Sequence, residues 1–127
     1  MKKINIVFVT FFILILASCT TTKVVTPGNK ESGSGKTVEM TIDAFNFGFT
    51  ASQVTINKGD KVKIKFTSSS GTHGLAIPEF GISAGPVSPG QEEIVEFVAD
   101  KSGSFDYFCN IPCGSGHGGM RGKLIVG

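Results

Sequence analysis

Two thiols, one imidazole and one thioether fall within the twelve residues from Cys109 to Met120, spaced Cys-x3-Cys-x3-His-x2-Met. Thiolate and thioether sulfur are soft donors, and with imidazole they favour copper over hard cations. Gly114, Gly116, Gly118 and Gly119 share the stretch and allow the backbone to turn tightly around an ion. The other histidine, His73, stands upstream in Ser68-Ser-Ser-Gly-Thr-His-Gly-Leu-Ala-Ile-Pro78. Cys109, Cys113, His117, Met120 and His73 are therefore the candidate metal ligands.

That donor set admits several sites. Cys109 and Cys113 could close a structural disulfide, as an exported protein permits. One copper could sit among His73, Cys113, His117 and Met120, with Cys109 a bystander. Zinc could take two cysteines and two histidines. Two ions bridged by both thiolates would use every donor. Nothing in the chain suggests a substrate pocket, a general base or a nucleophile, which argues against an enzyme acting by itself.

The elements that must position these residues read as strands. Val38, Met40 and Ile42 alternate with polar residues, as do Gln53–Asn57 and, without a flaw, Lys61–Thr67. Lys58-Gly59-Asp60 is a turn, and Glu92–Val98, Ser104–Phe108 and Lys123–Val126 are further strand candidates. No window carries a helical stripe. Short strands with turn signals at close intervals predict an all-β, antiparallel Greek-key sandwich over residues 36–127. The ligand stretch falls between its last two strands and so forms a loop. Met40 reads as core. Phe45, Phe47 and Phe49 read as core or edge packing, and Tyr107 and Phe108 as walls of the site. The lysines at 58, 61, 63 and 65 read as a solvated strand face.

The N-terminus reads as an export signal. Lys2 and Lys3 precede an apolar run from Ile6 to Leu16 that is short for a membrane span. Leu16-Ala-Ser-Cys19 follows and resembles the bacterial lipobox, which implies cleavage after residue 18 and a lipid on Cys19. Residues 19–35, polar and rich in Gly, Ser and Thr, make a flexible tether. The expected location is the bacterial cell envelope, facing the periplasm or cell exterior. With Lys2 and Lys3 set aside, basic and acidic side chains balance at ten each, so no basic face for nucleic acid is expected.

Cys109 to Met120 resembles the copper loop of cytochrome c oxidase subunit II, which holds the binuclear CuA centre. His73-Gly-Leu-Ala-Ile-Pro78 resembles that family's upstream ligand segment. Met120-Arg-Gly-Lys-Leu124 is more similar to the end of the nitrous oxide reductase CuA domain. The resemblance implies a cupredoxin fold with two coppers. Cys109 and Cys113 would bridge them, His73 and His117 would bind one each, Met120 would be a weak ligand to one and the Ile111 carbonyl would serve the other. It further implies electron transfer in a respiratory chain, with a cytochrome c, oxidase or reductase as redox partner; the place of His117 on a glycine-rich loop near the chain end makes it the expected edge presented to that partner. The sequence departs from the family at Ser70, where an acidic residue is usual, and at Leu75, where an aromatic is. A copper delivery or storage protein for oxidase assembly is the alternative.

Overall fold

The computed structural model describes residues 35–127. The signal segment 1–18, the lipid site Cys19 and nearly all of the tether lie outside these residues. Among the described residues no helix is long and apolar enough to cross a membrane.

Alternation is realised most fully in Lys61–Ser68, where Val62, Ile64 and Phe66 are fully buried. Eight strands follow in order: β1 (Thr37–Phe45), β2 (Gly48–Ala51), β3 (Lys61–Ser68), β4 (His73–Ile77), β5 (Ile82–Val87), β6 (Glu92–Val98), β7 (Gly103–Phe108) and β8 (Arg121–Val126). They form two four-stranded sheets, ordered β2-β1-β3-β6 and β5-β4-β7-β8. Ile42, Ile64 and Phe66 from the first sheet meet Leu75, Ile77 and Leu124 from the second in one core. This is the all-β sandwich expected from the periodicity. Met40 is buried in that core, and Phe49 packs against it.

Two expectations are corrected. The sandwich is not purely antiparallel, because β1 and β3 run parallel from Thr37↔Lys61 to Ala44↔Ser68. A period of two marks which face is buried and carries no information on strand direction, so alternation could not distinguish the cases. Gln53–Asn57 forms no strand. It makes a single bridge, Ile56↔Val126, and Val54 is 37% exposed. The segment runs beside the edge strand β8 but meets it only at that bridge and at Gly127, so no ladder forms.

The outward lysines of β3 are paired with acidic neighbours: Lys61 with Glu96 at 3.0 Å, Lys63 with Glu39 at 3.4 Å and Lys65 with Glu92 at 2.5 Å. The row is a charge-balanced strand face, and exposed pairs of this kind contribute about 0–1 kcal/mol each.

Candidate metal centre

Register brings the two ligand segments together. β4 and β7 pair antiparallel through Ala76↔Phe108, so the start of β4 lies beside the end of β7. His73 is the first residue of β4, and Cys109 follows the last residue of β7. The Gly74 N–H donates to Cys109 Sγ at 3.4 Å. A side chain at Gly74 would meet the Asn110 carboxamide and the Ala84 carbonyl, so the close approach requires glycine.

The loop between β7 and β8 is a closed hairpin. Phe108 pairs with Arg121, and the Cys109 N–H donates to the Met120 carbonyl at 3.1 Å. A 3-10 turn at His117–Gly119 tightens its far side. Gly114 holds a φ of 130°, in the range that favours glycine. The Phe47 ring lies over it, 2.9 Å from where a Cβ would stand, and also blocks a side chain at Gly116. Phe47 itself is 40% exposed.

Within this frame the donors divide into two groups. Cys109 Sγ stands 4.0 Å from His73 Nδ1 and 3.3 Å from the Ile111 carbonyl oxygen. Cys113 Sγ stands 3.4 Å from His117 Nδ1 and 3.4 Å from Met120 Sδ. The two sulfurs are 3.7 Å apart and both cysteines are free. The ligand atoms of His73, Cys109 and Cys113 all lie within 4.8 Å of one another. His73 and Met120 are fully buried and Cys109 nearly so, while Cys113 and His117 are half-buried. A cleft of about 280 Å³ opens beside the loop, lined by His117, Asn110, Phe108 and Arg121 among others.

Every candidate donor named from the sequence thus lies beside one of these two sulfurs. The donor chemistry fits a soft or borderline metal ion. Burial pushes the Cys113 thiol above its ordinary pKa, and the neighbouring Cys109 adds to the shift. Two thiolates this close repel each other, and a bound cation removes that penalty by holding both deprotonated.

Three features were not read from the sequence. Asn46, in the turn between β1 and β2, places its Oδ1 3.1 Å from His73 Nε2. The Ser70 carbonyl lies 2.9 Å from the same nitrogen. Phe47 covers the ligand loop, rather than serving only as edge packing. The Asn-Phe-Gly turn signal at 46–48 was visible, but nothing local connects it with residues 73 or 114. Tyr107 is buried against Phe49, ring centroids 5.4 Å apart, and a side chain at Gly122 would strike it. It is a core residue more than a wall of the site.

Known proteins share this architecture. The model of the family described as a cupredoxin-like domain matches residues 6–126. Nitrous-oxide reductase from Cupriavidus necator is 35% identical over 76% of this chain, which spans 16% of that enzyme. Cytochrome c oxidase subunit 2 from Thermus thermophilus is 30% identical over 65% of this chain, which spans 61% of the subunit. Among solved structures, a heme-copper terminal oxidase dimer is 28% identical with a TM-score of 0.66, covering 74% of this chain and 66% of that one. The periplasmic domain of cytochrome oxidase subunit II from Bradyrhizobium japonicum has a TM-score of 0.60 at 19% identity, covering 70% of this chain and 83% of that one, and shares the fold.

Proposed function

The chain belongs to the family of cupredoxin-like domains, and on that premise we propose that it carries electrons through a binuclear copper centre of the CuA kind. The observation that carries the reading is the division of the donors. Each sulfur has one imidazole and one weak donor beside it, and the two thiols stand 3.7 Å apart. A single copper of the cupredoxin kind needs one of these sulfurs and leaves the other unexplained. Two ions use both. His73 and His117 would each bind one copper, Met120 would be a weak ligand to one and the Ile111 carbonyl would serve the other, with Cys109 and Cys113 bridging. The similarity to nitrous-oxide reductase and to oxidase subunit 2 supports the same reading.

When bound, the copper pair supplies the redox chemistry. The protein's part is to hold the donors still, so that geometry need not rearrange between oxidation states. Buried Met120, Cys109 and His73 provide that rigidity, and the half-buried His117 beside the cleft gives a partner an approach. The domain is residues 36–127. We further propose removal of residues 1–18, a lipid on Cys19, residues 19–35 as tether, and a place on the outer face of a bacterial membrane, near a cytochrome c, oxidase or reductase.

Copper per chain and the electron paramagnetic resonance spectrum of the oxidised protein test the centre. Two coppers, with the hyperfine pattern of one electron shared equally by two nuclei, are expected. One copper with the pattern of a single nucleus overturns the binuclear reading. Reversible cycling with copper retained is expected of a carrier, whereas release to an acceptor would favour a delivery protein. Cys19→Ser should block lipidation and normal processing, and variant protein that is still processed and fractionates with membranes like wild type would overturn the anchor.

A further inference from the structure

His73 is fully buried, yet both of its ring nitrogens are committed. Nε2 lies 2.9 Å from the Ser70 carbonyl oxygen. A carbonyl can only accept, so Nε2 carries a proton, and in the neutral ring Nδ1, facing Cys109, keeps its lone pair. The same Nε2–H is within 3.1 Å of the Asn46 side chain, and since the imidazole is the donor, the carboxamide oxygen is the atom that meets it. Asn46 is in turn fixed from behind, because its own N–H donates to Ser70 Oγ at 3.0 Å. Gly71, with a φ of 79°, passes under this contact. A Cβ there would collide with Asn46 Oδ1 and stand 2.7 Å from His73 Nε2. Ser68 donates its hydroxyl to the Gly71 carbonyl at 2.7 Å and secures that turn.

The turn between β1 and β2 is thus stitched to the turn between β3 and β4, with the far nitrogen of His73 as the knot. We propose that Asn46 is a positioning residue for the metal centre: its carboxamide shares the His73 Nε2–H with the Ser70 carbonyl, fixes the ring's tautomer and plane, and sets how strongly Nδ1 donates to copper. The inference rests on His73 being a copper ligand. An acceptor on the remote nitrogen strengthens the donor character of the near one, and outer partners of this kind are worth about 10–100-fold in metal affinity. A carboxylate accepts more strongly than a carboxamide and favours the more positive, oxidised metal. Asn46 is exposed as a residue, so its carboxylate replacement would remain ionised and cost the fold little.

The test uses Asn46→Asp and Asn46→Ala in the full domain. In the metal-free protein, nitrogen NMR of the His73 ring should show the proton on Nε2, and Asn46→Ala should speed its exchange with water, since one of its two acceptors is lost. In the copper-loaded protein, Asn46→Asp should raise the oxidised-to-reduced ratio at fixed poise by about tenfold, about 59 mV toward lower potential for one electron. Asn46→Ala should move it the other way. Opposite shifts in two variants of similar thermal stability distinguish tuning from loosening of the fold. Unchanged potential and unchanged ring-proton exchange in both variants overturn the proposal, as do equal shifts of one sign that track lost stability. If the wild type holds no copper, the tuning and the electron-carrier reading both fall. The ring-proton exchange then still reports whether Asn46 holds His73.

Discussion

The two halves of the donor cluster are built differently. The Cys109 half is framed by sheet register: His73 opens β4, Cys109 directly follows β7, and both are buried. The Cys113 half hangs on a loop, with half-buried Cys113 and His117 between glycines, under the partly exposed Phe47 ring. Met120, buried at the loop's exit, anchors that half in the core, and Cys113 packs against the core's edge. The contrast teaches how a small sandwich can combine fixed geometry with access. The register-built half resists rearrangement, while the loop-built half brings His117 to a cleft.

The largest effect that would test this contrast is loss of a bridge. Cys109→Ser should lower copper from two per chain to at most one and replace the shared hyperfine pattern with that of one nucleus. If colour and copper content are unchanged, Cys109 is a bystander and the halves do not share an ion pair. Met120 comes next. Because it is fully buried, Met120→Ala should cost about 2–5 kcal/mol of metal-free stability, measured by denaturant unfolding. Met120→Leu should cost less than about 1.5 kcal/mol while still altering the copper spectrum, which separates packing from ligation.

The histidines sharpen the comparison further. His73→Ala should cost about 1–3 kcal/mol in the metal-free protein, since the Ser70 carbonyl and Asn46 lose their partner. Free imidazole should restore the spectrum of His117→Ala, beside the cleft, and fail with buried His73→Ala. Equal rescue would mean the halves do not differ in access. A smaller effect comes from pH. The folded Cys113 pKa is raised above the ordinary thiol value of 9.0, so the unfolded chain releases that proton first. The metal-free, reduced domain should therefore be stable below pH 9.0 and lose stability as pH rises through the folded Cys113 pKa. Cys113→Ser should flatten that loss in pH-dependent unfolding. Smallest of all, Lys63→Ala on the opposite sheet should change stability by no more than about 0.5 kcal/mol and leave the copper spectrum untouched.

Much of this molecule is written locally. The flawless alternation of Lys61–Thr67 predicts β3 because each inward residue there meets the core. The alternation of Gln53–Asn57 is as good and yields no strand, because a pattern specifies a face and not the neighbour that completes a ladder. β4 was not legible as a strand. All five of its residues are buried, so it has no alternating face. Its edge partner β5 carries Gly85 and Pro86, which read as turn residues.

The sequence by itself determined the donor types, their spacing and the loop that holds them, since Cys109 to Met120 is one short run whose chemistry is local. Only the tertiary structure decided that His73, thirty-six residues upstream, stands beside Cys109. It alone also showed that the donors fall into two halves, that Asn46 reaches the far side of His73, and that Phe47 covers the loop. Those contacts depend on antiparallel register between β4 and β7 and on two turns meeting at one end of the sandwich. Such long-range pairings are fixed by packing the whole core, so no local window of residues contains them.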